Sequence, residues 1–591
     1  MGDRLPKDKL SKAAIVNINK WLSEPKYVEY KPELESLVEA GDWKALEDAF
    51  FKVIEFGTGG RRGTTGVGSN RINKVTIGES AQALCEHALS FDKGAGAKGI
   101  VIACDTRLSS PELSRYTAQV IAANGFKAYI FDSFRSTPEL SFAVRELGCA
   151  AGIVISASHN PPADNGFKAY WSDGGQVVPP HDQGILDKAS QIKEIKVLEY
   201  DEAVESGQIV IIGQDIDSKY IAALSNEAMS DNRDVSIVYS PLHGAGLTNV
   251  LPALQAVGFE SISTVKDQMV PDGNFPTVAN GKPNPEERAA NDRAVAQLMS
   301  EAADIAITND PDADRIGVVV RQGDEPIYLN GNQSAVLATD YVLSKLKQRD
   351  ELTSSHYIAK TIVTTDMLKA LADNYGVKLY TNMLIGFKYI GELILKKEGT
   401  GEIFVIGSEE SYGLLKGTYA RDKDGAVGAL VLAEYAAELK SSGRTLYDRL
   451  LELYAKYGLY TERLDMMVCP GADGFNQMQS IMDWLRNTPP EKIGKQRVTA
   501  VQDYKSLKRK TMPNNQSSSI DCLSGNVIVL EFGDSRKRIT IRPSGTEPKL
   551  KFYTQWFESP DDGRSLQDQY QEIEASMEGL SKELAGVLFE L

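Results

Sequence analysis

The chain is poor in the residues that mark disulfide-rich and zinc-binding proteins. Its 591 residues contain only five cysteines and five histidines. The cysteines are odd in number and widely spaced with no Cys-x-x-Cys pair, and the histidines show no zincin spacing. Neither a disulfide framework nor a zinc site is therefore expected, and free thiols are typical of proteins in a reducing cytoplasm.

Long apolar runs and an excess of positive charge are also absent. The longest apolar runs, such as 150–155, are far too short to cross a bilayer, and residues 1–12 are polar and charged. We therefore expect no transmembrane helix, no signal peptide and no membrane partner. Acidic residues outnumber basic ones, 81 to 65, and the net charge of −16 repels phosphate backbones. Nucleic acid is not expected as a partner, and the protein is expected to be cytoplasmic.

The remaining composition is that of a folded protein with several domains. Apolar residues make up 42% of the chain and charged residues 25%, and this length corresponds to roughly three to five domains. Strand and helix patterns alternate up to about residue 450, whereas closely spaced strand patterns and one long amphipathic helix follow. These patterns predict three consecutive α/β domains with mixed sheets and a C-terminal α+β domain, divided as 1–213, 214–327, 328–460 and 461–591.

Most of the strand patterns run into polar loops, which is where open α/β sheets bind ligands. The clearest loop is Asn-Asp-Pro-Asp-Ala-Asp-Arg, in which Asp310, Asp312 and Asp314 alternate and can direct three carboxylates to one point. Such carboxylates repel one another unless a hard cation binds, and Mg²⁺ fits because no His or Cys lies nearby. An EF-hand is excluded, since Arg315 and Arg321 stand where it needs Gly and Glu. A solvated acidic turn is the alternative.

A second loop, Ser-Ala-Ser-His-Asn-Pro, follows the strand pattern 152–155 and contains Ser158 and His159. The adjacent pair suggests hydrolytic chemistry, but neighbouring side chains of an extended segment point to opposite sides. Catalytic triads are also assembled from residues distant in sequence. Protease chemistry is therefore not expected, and a plain polar turn is the alternative to a functional serine.

A third loop, Arg-Pro-Ser-Gly-Thr-Glu-Pro from Arg542, combines a guanidinium fork, two hydroxyls and a glycine, as an anion-binding nest does. A simple Ser-Gly turn fits equally well.

Two further loops are weaker signals: Glu409 and Ser411 suit a polyol, and Lys388 suits an anion. The Gly-x-Gly-x-x-Gly string at 94–99 precedes a strand pattern, and no Walker A pattern occurs, so neither a dinucleotide site nor a P-loop is expected.

Taken together, the Ser158, Asp310, Glu409 and Arg542 loops resemble the four signature loops of the α-D-phosphohexomutases, in that family's order and across nearly the whole chain. Further segments resemble the branch that contains phosphoglucomutase-2-like and phosphopentomutase enzymes; they are 56–63, 105–107, 241–244, 386–391 and 421–425.

The resemblance implies four domains around one central cleft and a phosphoglucomutase that interconverts glucose 1-phosphate and glucose 6-phosphate. It implies a phosphoserine enzyme, glucose 1,6-bisphosphate as intermediate and activator, and Mg²⁺. The alternatives are a phosphopentomutase, a phosphomannomutase, a glucose 1,6-bisphosphate synthase, and a non-catalytic scaffold that binds sugar phosphates. The oligomeric state stays open.

The same resemblance assigns a role to each residue of the site. Ser158 is the phosphorylated nucleophile, and Mg²⁺ is held by an oxygen on Ser158 together with Asp310, Asp312 and Asp314. His159, Lys168 and Arg315 lie at the transfer centre as catalytic residues. The substrate-binding residues are Arg62, Arg107, Lys388, Glu409, Ser411, Arg542, Ser544, Gly545 and Thr546.

Three positions depart from the usual pattern of the family. Ser156 stands where Thr is commoner, Arg61 replaces a Leu, and Ser408 replaces a bulkier residue. These changes affect the expected choice of sugar more than the expected chemistry. The acidic net charge also implies a locally basic cleft, since a sugar bisphosphate is strongly anionic.

Overall fold

A computed structural model of the protein describes residues 5–55, 60–469, 474–514, 516–544 and 548–590. The predicted phosphate ligands Gly545 and Thr546, and part of the Gly-rich run at 56–63, lie outside the described residues. Four main sheets follow one another along the chain, with six, five, four and seven strands. We call each sheet with its helices a unit, numbered from first to fourth.

Three helices precede the first sheet and form a cluster of their own around Trp21 and Phe50. They are α1 (Lys12–Ser23), α2 (Lys31–Ala40) and α3 (Trp43–Phe50). A 3-10 helix, Pro25–Tyr30, connects α1 to α2. The cluster buries Val75, the second residue of the first helix after β1, so the segment packs onto the first unit.

The first unit contains a mixed six-stranded sheet in the order β1-β5-β4-β2-β3-β6. Its strands are β1 (Gly60–Thr64), β2 (Ile100–Cys104), β3 (Ala128–Phe131), β4 (Ala151–Ile155), β5 (Asp164–Trp171) and β6 (Ile209–Ile212). Its helices are α4 (Lys74–Phe91), α5 (Ala95–Lys98), α6 (Ser110–Ala123), α7 (Thr137–Glu146), α8 (His181–Ala189) and α9 (Tyr200–Glu205). Strands β2 and β4 are buried along their whole length, as parallel strands covered on both faces are.

The second unit contains a mixed sheet in the order β11-β10-β9-β7-β8. Its strands are β7 (Ile237–Ser240), β8 (Ile262–Thr264), β9 (Ile305–Asn309), β10 (Ile316–Gln322) and β11 (Glu325–Leu329). Its helices are α10 (Gln214–Ser225), α11 (Gly246–Ala256) and α12 (Asp292–Ser300), with 3-10 helices at Lys266–Gln268, Ala279–Gly281 and Arg288–Asn291. Between β8 and α12 the chain is otherwise irregular.

The third unit contains the sheet β13-β12-β14-β15. Its strands are β12 (His356–Lys360), β13 (Lys378–Tyr380), β14 (Ile403–Ser408) and β15 (Leu414–Lys416). Its helices are α13 (Gly331–Gln348), α14 (Met367–Tyr375), α15 (Lys388–Lys397), α16 (Gly425–Lys440) and α17 (Leu446–Tyr457). Helix α16 is buried on nearly all sides, which its apolar sequence allows, and it packs against elements of the second and third units.

The fourth unit contains an antiparallel sheet in the order β16-β24-β23-β22-β19-β20-β21. Its strands are β16 (Leu459–Val468), β19 (Ala500–Asp503), β20 (Lys508–Thr511), β21 (Ser517–Ser519), β22 (Ile528–Phe532), β23 (Asp534–Pro543) and β24 (Lys549–Glu558). A small hairpin is formed by β17 (Lys492–Ile493) and β18 (Gln496–Arg497). The helices are α18 (Gly474–Asn487) and α19 (Leu566–Phe589).

The predicted fold class is confirmed: three mixed α/β sheets precede a C-terminal unit with an antiparallel sheet and two helices. The exact divisions between domains stay predictions. Strand β11 runs across the predicted division at 327, and β16 begins just before the one at 460. A division inside a paired strand would cut its ladder of hydrogen bonds, so we propose that the second division falls after β11 and the third before β16.

Candidate active site

The serine loop follows β4, and its backbone turns sharply at Ser158. This residue has φ +52°, in the left-handed region, and is 3% exposed. The Ser158 hydroxyl donates a 2.6 Å hydrogen bond to Asp310 Oδ2 in the second unit, and His159 Nδ1 lies 3.2 Å from the same hydroxyl. The prediction that Ser158 and His159 point to opposite sides is wrong, because the loop is not extended at this point.

The three aspartates converge at the end of β9. One carboxylate oxygen from each of Asp310, Asp312 and Asp314 lies within 4.8 Å of the others, and all three residues are buried. A turn brings them together rather than an extended segment, since Ala313 has φ +53° and its N–H donates to the Asp310 carbonyl. The predicted convergence is therefore present, with a different local cause.

These carboxylates fit a hard divalent cation. Asp312 Oδ1 and Asp314 Oδ1 are buried without a hydrogen-bond partner among the described residues. Burial and the neighbouring aspartates raise the pKa of Asp310 well above its usual range. A set made only of oxygen donors, with mutual repulsion and unused lone pairs, is what Mg²⁺ or a similar ion compensates.

Two lysines from different units contact the same carboxylates. Lys168 on β5 places Nζ 2.5 Å from Asp312 Oδ2, and Lys423, just before α16, places Nζ 2.8 Å from Asp314 Oδ2. Burial lowers the pKa of each lysine, but the aspartates outweigh burial, so both pKa values are raised and both side chains are cations. The sequence analysis did not identify Lys423.

Arg315 is held beside the triad by a residue of the irregular segment between β8 and α12. Its guanidinium lies 2.5 Å from Glu286 Oε1, while its Nε lies 3.9 Å from both Asp310 Oδ2 and Asp314 Oδ1. The Nε atom is buried and has no hydrogen-bond partner among the described residues. Arg315 therefore has donor capacity left over at the centre of the site.

The surroundings of His159 identify a cluster of positive charge. Burial lowers the pKa of His159 well below its usual range, and Arg315, Arg62, Lys551 and Lys168 lower it further. The side chains of Arg62 and Lys551 have no hydrogen-bond or ion-pair partner among the residues that the structure describes. Cations brought together without partners indicate a site for an anionic group.

Lys551 belongs to the fourth unit and shares a sheet face with Arg542, which is directly opposite it on β23. Burial and Arg542 lower the pKa of Lys551 to about 8. Ser544 follows β23, and its N–H donates to the Lys549 carbonyl. The described part of the predicted phosphate loop thus reaches the same region as Arg315.

The predicted sugar-binding residues of the third unit divide between two places. Glu409 follows β14 and is buried, and burial raises its pKa to about 7 although Lys423 opposes the shift. Ser411 is half-buried in the same loop. Lys388 places Nζ 3.4 Å from Asp182 Oδ2 of the first unit.

Arg107 was predicted to bind substrate, and its side chain is directed into the protein. Its side chain is 1% exposed and lies beneath the serine loop, where it donates hydrogen bonds to backbone carbonyls of that loop and to Asp105. All the guanidinium donors are used in this way. The short Asp-Thr-Arg motif gave no indication that the side chain turns inward.

The structure therefore brings Ser158, His159, Lys168, Arg315 and the three aspartates together and adds residues that sequence reasoning missed. Lys423 lies in a segment that the sequence analysis noted without assigning a role. Lys551 lies in the strand pattern that follows the Arg542 motif, and this pattern could have identified it as a neighbour of Arg542. Glu286 carried no local signal, and neither did Thr137, whose hydroxyl donates to Asp312 Oδ2. In the described parts of the chain, no helix is long and apolar enough to cross a membrane.

Comparisons with known proteins agree with this geometry. Family models described as phosphoglucomutase/phosphomannomutase, alpha/beta/alpha domains I, II and III, match residues 53–196, 218–323 and 330–457. A phosphoglucomutase of Staphylococcus haemolyticus (strain JCSC1435) is 34% identical over 86% of this chain and 91% of its own length. A phosphoglucomutase of Staphylococcus aureus (strain MSSA476) is also 34% identical, over 86% of this chain and 90% of its own.

Solved structures show the same fold at lower identity. The pp63/parafusin phosphoglucomutase of Paramecium, in an open form, has a TM-score of 0.64 at 18% identity and covers 91% of this chain and 96% of its own. A phosphoglucomutase/phosphomannomutase family protein of Burkholderia thailandensis has a TM-score of 0.61 at 19% identity, covering 89% of this chain and 97% of its own.

Proposed function

Because the chain belongs to the phosphoglucomutase/phosphomannomutase family of intramolecular phosphotransferases, we propose that it interconverts glucose 1-phosphate and glucose 6-phosphate. The reaction runs through a phosphoserine enzyme and a glucose 1,6-bisphosphate intermediate. Family membership confirms the resemblance to the α-D-phosphohexomutases. The choice of glucose rests on the curated relatives named phosphoglucomutase, to which the chain is 34% identical.

One observation supports the proposal most directly: the buried Ser158 hydroxyl lies 2.6 Å from a carboxylate of the aspartate triad. The adjacent His159 lies near four cations, of which Arg62 and Lys551 have no side-chain partner among the described residues. A hydroxyl nucleophile that carries the phosphoryl group divides the isomerisation into two transfers. Phosphoryl transfer then needs in-line alignment and positive charge around the equatorial oxygens of the phosphoryl group. The residues around Ser158 supply both.

The roles of the residues follow from their positions. Asp310, Asp312 and Asp314 would hold Mg²⁺ together with an oxygen on Ser158, and the bound ion supplies charge neutralisation at the transferring phosphoryl group. Arg315 donates to equatorial oxygens through the donors that Glu286 leaves unused. When a phosphoryl group passes from the sugar to Ser158, the Oγ–P bond forms and the P–O bond to the sugar breaks. The Ser158 hydroxyl proton goes to its hydrogen-bond acceptor Asp310, and protonated Lys168 can give a proton to the departing sugar oxygen.

The cluster on the fourth unit suits the phosphate that is not reacting. Arg542 and Lys551 share one sheet face, and the hydroxyl of Ser544 lies at the end of the same strand. The resemblance to the family also assigns Gly545 and Thr546 to this phosphate, and both lie outside the described residues. The bisphosphate carries about four negative charges, which a concentration of cations in an otherwise acidic protein accommodates. Glu409 and Ser411 would accept and donate hydrogen bonds at the sugar hydroxyls.

A bisphosphate intermediate has to exchange its two ends, because each phosphate occupies the transfer centre in turn. The two proposed phosphate sites, one at Ser158 and one at Arg542, face a common region that also contains Lys551 and Arg315. We further propose that the protein acts in the cytoplasm on small-molecule sugar phosphates. Phosphopentomutase, phosphomannomutase and bisphosphate synthase activities are the competing outcomes of the substrate test below.

The test compares wild type with Ser158→Ala in a coupled assay from glucose 1-phosphate, primed with glucose 1,6-bisphosphate and Mg²⁺. We expect the variant to retain less than about a thousandth of the wild-type kcat, since it lacks the nucleophile. Ser156→Thr is the matched control, because it changes another serine of the same loop and keeps its hydroxyl. Near-normal activity of Ser158→Ala would falsify the proposal.

The choice of sugar is tested on the wild type with the 1-phosphates of glucose, mannose and ribose side by side. We expect the highest kcat/KM for glucose 1-phosphate. Faster turnover of ribose 1-phosphate would reassign the protein as a phosphopentomutase. Consumption of 1,3-bisphosphoglycerate in proportion to product would reassign it as a bisphosphate synthase, because a mutase needs the bisphosphate only in catalytic amounts.

A further inference from the structure

We propose that Arg107 is a positioning residue that fixes the backbone of the serine loop, and that Phe275 of the second unit holds Arg107 in place. The inference rests on the proposed phosphoserine function, and it assigns to Arg107 a role that involves no contact with substrate or metal.

Arg107 forms a fork that joins separate parts of the serine loop. A guanidinium has five N–H donors in a fixed plane, and here every nitrogen donates within the protein. Nε donates to Asp105 Oδ2 at 3.1 Å. The two terminal nitrogens donate at 2.5–2.9 Å to the carbonyls of Ser158, Asn160, Pro161 and Asp164. One side chain therefore fixes both the start and the end of the loop.

Asp105 holds the same loop through the backbone N–H of Ser158, with the Ser156 hydroxyl between them. Its Oδ2 accepts the hydroxyl of Ser156 at 2.7 Å, and that hydroxyl oxygen accepts the N–H of Ser158 at 2.8 Å. Both backbone polar groups of Ser158 thus lead to the Asp105–Arg107 pair. These hydrogen bonds hold the backbone of Ser158 in the left-handed conformation. A residue with a side chain adopts that conformation only when its surroundings impose it.

The second unit covers the fork from the other side. The guanidinium carbon of Arg107 lies 5.2 Å from the ring centroid of Phe275, which is fully buried and has φ +49°. Gly273 allows this approach, because a Cβ at that position would lie 2.4 Å from the Leu108 nitrogen and 2.7 Å from the Arg107 Cα. The contact is therefore made between backbones as well as side chains.

The covering segment is itself anchored. His243 Nδ1 lies 2.8 Å from the Val270 carbonyl and its Nε2 lies 2.8 Å from Thr277 Oγ1, so one imidazole fixes the segment on both sides of Phe275. The same segment later supplies Glu286, the ion-pair partner of Arg315. One segment of the second unit therefore contacts both Arg107, through Phe275, and Arg315, through Glu286.

The consequence is a specific kinetic effect. Phosphoryl transfer depends on the placement of the nucleophile, and a shift of about 1 Å can cost roughly a hundredfold in rate. Loosening the fork should displace Ser158 Oγ while leaving the substrate-binding residues and the aspartates in place. The turnover number should fall, and the affinity for substrate should not.

The test uses Arg107→Lys in the full-length protein. Lysine keeps the charge, but its single ammonium cannot reach four carbonyls in one plane. We expect kcat to fall by roughly 30- to 100-fold, with KM for glucose 1-phosphate within about twofold of wild type. The backbone amides of 157–165 should exchange with solvent faster in the variant. Arg115→Lys, at an exposed arginine of α6, is the matched control.

Phe275→Leu keeps the experiment decisive if Arg107→Lys does not fold, and Phe126→Leu, at another buried phenylalanine, is its control for lost packing. Phe275→Leu should lower kcat and accelerate exchange in 157–165, whereas Phe126→Leu should do neither even if its stability falls equally. A raised KM with unchanged kcat in Arg107→Lys would overturn the proposal in favour of direct substrate binding. Unchanged kcat and unchanged exchange in the folded variants would overturn it outright.

Exchange in 157–165 needs no substrate, so it separates this proposal from the proposed function. Faster exchange in Arg107→Lys supports the positioning role even if the wild type proves inactive on glucose 1-phosphate. Wild-type inactivity itself counts only against the proposed function.

Discussion

The Thr137 hydroxyl donates a 2.6 Å hydrogen bond to Asp312 Oδ2, and the N–H of the same threonine donates a 2.9 Å bond to the Asp312 carbonyl. Thr137 is the first residue of α7 in the first unit. Asp312 belongs to the loop of the second unit that carries the three aspartates, which we call the metal loop. The two bonds fix the side chain and the backbone of one proposed metal ligand. The metal loop is therefore oriented by the unit that carries the nucleophile.

The first prediction follows from this contact. Partners that orient a metal ligand typically contribute about 10- to 100-fold in metal affinity, so Thr137→Val should weaken Mn²⁺ binding by that factor. Thr137→Ser keeps the hydroxyl and should bind like wild type. Mn²⁺ titration followed by electron paramagnetic resonance measures the affinity without reference to turnover. Equal affinities of the Val and Ser variants would show that the hydroxyl does not orient Asp312.

The second prediction concerns Lys423, whose removal should strengthen metal binding where the removal of the Thr137 hydroxyl should weaken it. Its ammonium lies 2.8 Å from Asp314 Oδ2 and competes with a cation for that carboxylate. Lys423→Met should therefore tighten Mn²⁺ binding by roughly tenfold, given an interaction of a few kcal/mol that solvent partly screens. The turnover number should fall, because the transferring phosphoryl group loses a neighbouring positive charge.

Lys369→Met is the control for this experiment, since Lys369 forms an exposed pair with Asp373 on α14. It should change neither metal affinity nor turnover. Weaker Mn²⁺ binding in Lys423→Met would mean that the lysine supports the metal loop rather than competing for it.

The contrast between Asp310 and Lys423 shows what the sequence could predict. The aspartates and Ser158 lie in short motifs after buried strands, and Arg542 lies in a motif at the end of β23, so strand patterns and local residue types were enough to identify them. Lys423 and Thr137 reach the same site from the third and first units, and Glu286 reaches it from a distant segment of the second unit, so their proximity depends on how the chain packs. Local pattern carries no information about that packing.

Arg107 and the N-terminal helices illustrate two different limits. The direction of the Arg107 side chain is set by carbonyls more than fifty residues away, which the motif around it cannot reveal. For the helices a signal was present, because Ala14, Ile18 and Trp21 recur at helical spacing and are all buried. The sequence analysis concentrated on strand-end loops and did not use that signal.

The third prediction concerns Glu139, a fully buried acid on α7. Neither of its carboxyl oxygens has a hydrogen-bond partner among the described residues, and Arg135 Nε is 4.0 Å away. Burial, and then Asp217, raise the pKa of Glu139 well above its usual range. The folded protein thus retains a proton that the unfolded chain loses above about pH 4.5.

Because the folded state binds more protons above that pH, Glu139 makes the protein less stable as pH rises. Glu139→Gln removes the titration and keeps the shape, so its Tm should exceed that of wild type at pH 8 by roughly 2 °C or more. The two Tm values should converge near pH 4.5. Glu146→Gln, at a more exposed glutamate of the same helix, should show no such pH dependence. A stabilisation that is the same at pH 4.5 and pH 8 would contradict the argument.

The fourth prediction concerns the contact between the third and fourth units. Asp366, just before α14, lies 2.9 Å from Lys360 Nζ and 2.5 Å from a guanidinium nitrogen of Arg538 on β23. Lys360 is 1% exposed, and burial lowers its pKa although Asp366 opposes the shift.

Asp366→Asn should lower the free energy of unfolding by about 3–5 kcal/mol, because it leaves a buried cation without its counter-charge. Asp373→Asn, which breaks the exposed Lys369 pair on α14, should cost less than about 1 kcal/mol. Urea unfolding of both variants measures the difference, and equal midpoints would show that solvent or Glu462, whose pKa burial raises to about 7, compensates for the lost carboxylate.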